Sequence, residues 1–411
     1  MISISQARAT ILAQVQPNGP VRIGIQHAVG RVLAENIAYD LDSPPYDKAL
    51  MDGFAVRSID RRQGRTSLEV IDRITAGMTP HVALREGTAI EIMTGAPVPA
   101  GADAVVMIEQ TTRHEKAGTQ FIEINASSIA PGQNILRRGA SAQQGEIVFA
   151  RGHCLRPRDI GVLCEAGRDA VRIVRPARVT VLATGNELVP ANTVPTHAQI
   201  RNTNGPMLAA MARQFGAQCR YGGICRDDPA QLELAIKNNL DTDILLLSGG
   251  VSTGVLDLVP NALAQLGVEC LFHKVYLKPG KPLWFGRYQQ NDRTTCVFGL
   301  PGNPIGSLVC FQLFVRPTIQ RLGGAEPSAL TTIQAVLGCA YHQQWDRPTY
   351  YPVKIERFAA GRAVVAPLSW QGSADQRTVA RADGLALFHA DRQHYPAGSA
   401  VEVLLMEDTN L

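Results

Sequence analysis

Apolar residues change their spacing several times along the chain, and each change marks an element or a domain. Near the start Ala7, Ile11, Leu12 and Val15 recur at helical spacing behind a serine-rich opening, which predicts an amphipathic helix stopped by Pro17, Asn18 and Gly19. A second short helix or strand is expected around residues 27–36. From 43 to 141 the pattern becomes short alternating runs (66–71, 89–93, 104–108, 120–124) broken by glycine and proline, which reads as a small, mostly β insertion. Helical and turn character returns over 150–174 and completes the domain that the first helix begins. The front of the chain therefore divides into an N-terminal helical linker domain (1–42 and 142–175) and an inserted β-rich domain (43–141).

Between 176 and 323 apolar, β-rich runs alternate with helical segments. Strands are predicted at 177–183, 219–224, 244–247 and 296–300, and helices at 206–214, 229–238, 256–266 and 305–320. Such alternation with buried strands predicts a doubly wound α/β domain, a parallel sheet covered on both faces. Ligands of such sheets sit at the carboxyl ends of the strands. Short alternating runs resume at 331–336, 350–355, 362–367 and 400–405, so a small β domain, barrel-like or sandwich-like, is expected over 330–411.

Composition narrows the class. Of 411 residues, 45% are hydrophobic and 18% charged, which suits a folded protein and excludes disordered, collagen-like and coiled-coil chains. Forty Lys plus Arg against 36 Asp plus Glu leave a net charge of +4, too little over this length to hold nucleic acid or an acidic membrane, so any basic site is local. The eight cysteines are scattered, with no C-x-x-C and no zinc spacing, and read as reduced, mostly buried thiols. The opening residues lack a basic segment followed by an unbroken apolar one, and no apolar run approaches the roughly 20 residues of a membrane span. A cytoplasmic protein is expected.

The most informative segment runs from Leu245 through Ser248, Gly249, Gly250 and Ser252 to Gly254, where a buried strand enters a loop of small residues ahead of a helix. Glycines there permit positive φ and leave amides uncovered, so phosphate can approach the backbone. No lysine follows the last glycine and the G-x-G-x-x-G pattern is absent, so neither a Walker A loop nor a dinucleotide fingerprint is present. Other strand ends repeat the theme: Thr184-Gly185-Asn186-Glu187, Arg226-Asp227-Asp228-Pro229, and Pro301-Gly302-Asn303-Pro304. Their convergence predicts a pocket. Glu187, Asp227 and Asp257 are carboxylates able to hold Mg²⁺ against a pyrophosphate, although Asp-Asp-Pro is equally a helix-start signal for Asp227. Lys274, Lys278 and Lys281 surround a stretch stiffened by Pro279, Gly280 and Pro282; they could bind a small dianion or form a solvated turn. Asp52 and Thr94 lie in glycine-containing turns. No Ser-His-Asp arrangement or H-E-x-x-H occurs, and the nine histidines are scattered.

Taken together, Met51-Asp52-Gly53, Met93-Thr94-Gly95-Ala96-Pro97, Thr184 to Leu188, Ser248 to Ser252, Lys278-Pro279-Gly280-Lys281-Pro282 and Gly299 to Pro304 resemble the molybdopterin molybdenumtransferase family, MoeA, which includes the gephyrin E domain. The likeness extends to Gln371-Gly372-Ser373 and Ala382-Asp383-Gly384-Leu385 and spans nearly the whole chain. It implies a homodimer of four-domain subunits with a central MogA-like molybdopterin-binding domain. It also implies Mg²⁺-dependent hydrolysis of adenylylated molybdopterin, releasing AMP, with insertion of molybdate into the dithiolene. By resemblance Asp227 and Asp257 belong to the Mg²⁺ and pyrophosphate site with Glu187 beside them, and Lys278, Lys281, Arg347 and Ser373 surround the oxyanion. Asp52 and Thr94 match positions that the partner subunit brings toward the cleft. Transient contact with a molybdopterin adenylyltransferase and with cofactor-accepting enzymes is implied as well.

The chain departs from the family pattern in places. Arg137-Arg138-Gly139-Ala140-Ser141 lacks two carboxylates, Asn186 replaces an aspartate, and Gly306 replaces a serine near the expected oxyanion, although Ser307 follows. These changes keep open a non-catalytic cofactor-binding or scaffold paralogue. A molybdopterin adenylyltransferase, which shares the central fold, is disfavoured by the flanking β domains.

Overall fold

Alternate residues of the central strand Ile244–Ser248 enter different cores, and all of them are buried. Ile244 and Leu246 enter one core with Leu208 and Phe298, while Leu245 and Leu247 enter another with Leu232, Ile236 and Leu263. A strand buried on both faces needs helices on both, and the computed structural model, which describes residues 1–251, 258–291, 293–326, 332–359 and 361–406, supplies them. The strands are β1 (Arg178–Thr184), β2 (Gln218–Cys225), β3 (Ile244–Ser248), β4 (Glu269–His273), β5 (Trp284–Gln290) and β6 (Arg293–Leu300). Helices α1 (Asn204–Gln214), α2 (Pro229–Lys237) and α3 (Leu258–Gln265) connect them. The six-stranded sheet has the order β2-β1-β3-β6-β5-β4. The chain winds from β1 outward to β2 and then returns across β1 to β3, which places a topological switch point between β1 and β3.

This sheet is mixed, not purely parallel. β1, β2, β3 and β6 run parallel, whereas β5 is antiparallel to β6 and to β4. The periodicity missed β4 and β5 because their ends are exposed and lack a continuous apolar run. The lysine-bearing segment 274–283 is thereby the connection between two antiparallel strands.

The C-terminal strands Thr332–Leu337, Thr349–Ala359, Arg362–Pro367, Gly384–Phe388 and Ala400–Leu405 form a closed barrel. Closure removes the sheet edges, and Val353, Val365, Phe388 and Val403 fill the interior. Lys278 N–H donates to the Pro348 carbonyl at 2.9 Å and Tyr350 N–H donates back to the Lys278 carbonyl at 2.9 Å, fastening the barrel to the lysine segment.

The chain forms two compact units: Met1–Arg22, Gly30–Ala34 and Arg172–Leu411 in one, and Ile23–Val29 with Glu35–Val171 in the other. The first helix, Ile4–Leu12, starts with a capping box of Ser3 and Gln6. Its apolar residues Ala7 and Ile11, with Val15, join the core of Val179, Leu208 and Phe311. It therefore belongs with the α/β unit and not with 142–175, because its apolar face is absorbed by that larger core. The second unit contains a six-stranded sheet in which Gly53–Val56 lies between Ala104–Met107 and Thr88–Ile92, followed by Ser67–Ile74, Thr119–Ile124 and Thr111–Lys116. Around 27–36 the chain forms a 3-10 turn, Ile25–His27, and no longer helix. The cysteines are free, but Cys154, Cys164, Cys270 and Cys339 are exposed, so burial is the minority state.

Candidate functional site

The carboxyl ends of β1, β2, β3 and β6 are tied to one another by polar bonds. Gly249 N–H donates to the Leu300 carbonyl at 3.2 Å, and Gly185 N–H to the Cys225 carbonyl at 3.2 Å. Asn204, the first residue of α1, donates from Nδ2 to Ser248 Oγ at 2.9 Å and to the Gly302 carbonyl at 2.7 Å. These loops enclose a cavity of about 500 Å³ whose walls include Thr184, Gly185, Glu187, Asp227, Ser248, Gly249, Gly250, Pro301, Gly302, Asn303 and Pro304. It opens at the switch point. Ser252 and Asp257 lie outside the described residues.

Two glycines shape the loop. Gly249 and Gly250 have φ of +100° and +64°, and a Cβ on Gly249 would stand 2.4 Å from the Thr184 carbonyl oxygen. Side chains would both strain the backbone and collide with the end of β1 and, at Gly250, with Val259. Two polar atoms here are buried without partners, Thr184 Oγ1 and Asn204 Oδ1. Thr184 is only 3% exposed. Unpartnered buried polar atoms are costly and call for an occupant that bonds them.

Asp227 and Asp228 divide their roles. Asp228 is the cap of α2, accepting from Gln231 N–H at 2.9 Å. Asp227 is exposed and faces the cavity, where Asn186 N–H donates to its Oδ2 at 3.3 Å and Asp227 N–H donates to Asn186 Oδ1 at 3.2 Å. The helix-start signal in the sequence thus belongs to Asp228. Among the described residues no group of three or more His, Cys, Asp or Glu is placed to hold a metal. Glu187 and Asp227 nevertheless fit Mg²⁺, which takes one or two carboxylates and completes its shell with water and phosphate oxygens.

A smaller cavity of about 140 Å³ shares Pro282, Pro301 and Asn303 with the first. Lys278, Lys281, Arg347, Gly306 and Ser373 line it, with no carboxylate among the lining residues. Lys278 Nζ lies 4.0 Å from the ring centre of Trp345. Burial, and then the Arg347 guanidinium, push the Lys278 ammonium below the ordinary lysine value of 10.5. Gly280, with φ of +123°, is pressed against Cys310 and Leu277, so the turn is built for its glycine. Ser373 is brought in by the bond from Ile305 N–H to its carbonyl at 3.1 Å.

Not every candidate reaches these cavities. Lys274 lines neither. Ser307 does not restore the hydroxyl absent at Gly306, because it is fully buried and donates to the Pro301 carbonyl at 2.5 Å. A Cβ at Gly306 would come 3.1 Å from Pro301 Cβ. In the other unit Asp52 and Thr94 form a pair of their own: the Thr94 amide and hydroxyl each donate to Asp52 Oδ1 at 2.7 Å and hold its carboxyl below the usual range. Gly53 is required there because a Cβ would stand 1.9 Å from the Val106 carbonyl oxygen. Ala140 and Ser141 are exposed, and the neighbouring Arg137 and Arg138 are paired with Asp47 and Asp42.

Sequence reasoning missed Asn202, Asn204, Ala374 and Gln376, which also line the larger cavity. The polar Asn202-Thr203-Asn204 run just ahead of α1 was the available signal.

Fold and cavities define a multidomain protein built around a doubly wound α/β domain whose strand ends open onto a cleft suited to anionic ligands. Family models give the class its name: the MoeA N-terminal region (domain I and II) matches residues 2–167, the probable molybdopterin binding domain matches 180–321, and the MoeA C-terminal region (domain IV) matches 334–406. The chain is 31% identical to a molybdopterin molybdenumtransferase of Staphylococcus aureus, over 99% of this chain and 96% of that protein. A Staphylococcus epidermidis relative of the same name is 32% identical, over 100% and 96%. A crystal structure of a molybdopterin biosynthesis MoeA protein from Pyrococcus horikoshii superposes with a TM-score of 0.84 at 28% identity, covering 99% of each chain. The chain belongs to the molybdopterin molybdenumtransferase (MoeA) family and is a transferase.

Proposed function

We propose that this protein acts in molybdenum cofactor biosynthesis by hydrolysing adenylylated molybdopterin at its pyrophosphate, releasing AMP, and inserting molybdenum from molybdate into the dithiolene. The observation that supports this reading is the joining of two unlike cavities. One has a glycine loop, two unpartnered buried polar side-chain atoms and two carboxylates; the other has cations and no carboxylate, and Pro282, Pro301 and Asn303 are common to both. The Gly250 amide and the Thr184 hydroxyl would hold the phosphates, the Gly249 amide being spent on the Leu300 carbonyl, while Lys278, Lys281 and Arg347 attract the molybdate dianion. Bound Mg²⁺ would polarise the phosphoryl group and ease deprotonation of the attacking water. Glu187 and Asp227 would hold that ion, with Asp257 as a further ligand by resemblance.

The proposal includes a cytoplasmic homodimer in which Asp52 of the partner subunit and Thr94 of the partner subunit complete the cleft, the Thr94 bonds keeping Asp52 ionised. It also includes transient contact with a molybdopterin adenylyltransferase and with enzymes that accept the finished cofactor. No helix among the described residues is long and apolar enough to cross a membrane.

The test is incubation with adenylylated molybdopterin, Mg²⁺ and molybdate, measuring AMP and metal-loaded cofactor. Both products are expected. AMP without loaded cofactor locates a defect in the cation pocket, and absence of both products from folded protein supports the scaffold alternative that the missing carboxylates at Ala140 and Ser141 motivate.

Changing Asp227 to asparagine preserves its bonding to Asn186 and removes the charge. Mg²⁺-dependent AMP release should fall by about 100-fold, on the scale of losing one charged contact to the reacting group, with folding intact. Asp228→Ala should instead lose about 1 kcal/mol of stability through the helix cap and keep the Mg²⁺ response. If the two variants exchange these phenotypes, the division of roles is wrong.

The lowered Lys278 value has a pH consequence. Bound molybdate favours the ammonium, so affinity should decline as pH rises through a value below 10.5, where this lysine deprotonates. Lys278→Arg stays charged and should move the decline upward; superimposable affinity profiles would remove Lys278 from the anion pocket.

A further inference from the structure

A third cavity, of about 550 Å³, adjoins the phosphate cavity through Leu188 and Asn202, which line both. Nothing in the reaction above uses it. Its walls are formed by Leu188, Pro190, Pro206 and Tyr221, with Arg226 at the end of β2.

Tyr221 is built as a platform. Asn202 Nδ2 donates to its hydroxyl at 2.6 Å, and Asn202 Oδ1 in turn accepts from Gly205 N–H at 3.1 Å. The ring is braced against the start of α1 at Gly205, where a Cβ would stand 2.6 Å from Tyr221 Cε2. A larger residue at 205 would push the ring away. The tyrosine is nonetheless 37% exposed, so part of its ring remains uncovered. Arg226 is exposed too, and its guanidinium makes no ion pair or side-chain hydrogen bond among the described residues. An anchored aromatic ring, proline and leucine walls and an unpaired guanidinium are the elements that receive a planar heteroaromatic ring attached to a phosphate. The ring stacks on the tyrosine, and the arginine covers it or meets its phosphate.

We infer that this cavity is the ring subsite of the nucleotide held in the adjoining phosphate cavity, with a planar heteroaromatic ring, adenine or pterin, stacked on Tyr221. The inference rests on the phosphate-binding reading of the 500 Å³ cavity. Asn202 serves as a positioning residue: it fixes the platform and sits on the boundary between the two spaces.

Binding to the 411-residue chain is measured by calorimetry with pyrophosphate, ribose 5-phosphate, AMP and 6-carboxypterin. Wild type should bind AMP or the pterin more tightly than the ring-free probes. Tyr221→Leu should weaken the ring-bearing ligand by about tenfold or more, leaving pyrophosphate unchanged, while Tyr221→Phe keeps most of the affinity. Selective loss for AMP assigns the ring as adenine, and selective loss for 6-carboxypterin assigns it as pterin. Should the leucine variant unfold, Arg226→Gln, an exposed and unpaired position, should still weaken the same ligand severalfold. Unchanged preference for ring-bearing ligands in folded Tyr221→Leu, or in Arg226→Gln where the leucine variant is unfolded, overturns the inference. Wild type that binds neither pyrophosphate nor AMP overturns the phosphate reading itself.

Discussion

Replacing Lys281 by glutamine weakens molybdate binding by about 10- to 100-fold, the scale of one charge-assisted contact, and leaves nucleotide binding nearly unchanged. Lys281 lines the small cavity with Lys278 and Arg347 and is absent from the larger one. Glutamine retains length and a donor but removes the cation, so the loss reads charge and not shape. Pro279, Gly280 and Pro282 fix the backbone on both sides of the lysine, so its position in the cavity wall is set by the fold, and arginine substitution, which restores the charge in a different shape, should recover only part of the affinity. Molybdate titration of metal-loaded cofactor formation, beside a calorimetric AMP titration, reads both effects. An unchanged molybdate affinity would return Lys281 to an ordinary solvated turn.

Gly249→Ala should produce the largest effect on nucleotide binding, a loss of about 100-fold, with a stability cost of about 1–3 kcal/mol from backbone strain. The residue sits at φ of +100°, and the new Cβ would stand 2.4 Å from the Thr184 carbonyl oxygen, an atom fixed by the end of β1. The loop must move, and its amides move with it. Gly302→Ala is the control: its nearest neighbour would be Gly249 Cα at 3.9 Å, so stability should change by no more than about 0.5 kcal/mol. Urea denaturation and pyrophosphate binding compare the pair. A Gly249→Ala protein as stable and as tightly binding as wild type would refute the role given to this loop.

Much of the site can be read from local pattern because its determinants are local. Gly249 and Gly250 follow a buried strand, Asp228 precedes Pro229, and glycine and prolines flank Lys281; each relation lies within a few residues and constrains backbone angles directly. The same locality explains the errors. Lys274 shares its segment with Lys278 but not its cavity, and Ser307 follows Gly306 yet turns its hydroxyl to the Pro301 carbonyl. Neighbours in a helix or turn point in different directions, which proximity in sequence does not record.

By itself the chain determined its class: an alternating α/β centre flanked by β domains, with glycine loops and cations suited to anionic ligands. Tertiary structure alone decided the rest. Sheet order places the ends of β1 and β3 side by side, α1 brings Asn204 onto Ser248 and Gly302, and the barrel carries Arg347 and Ser373 to Lys278. It also decided that the first helix belongs to the α/β core and that Tyr221 lies beside the cavity at the strand ends. The reason is physical: backbone preference and hydrophobic period act over one turn or one strand, whereas convergence of distant loops follows from which buried faces pack together.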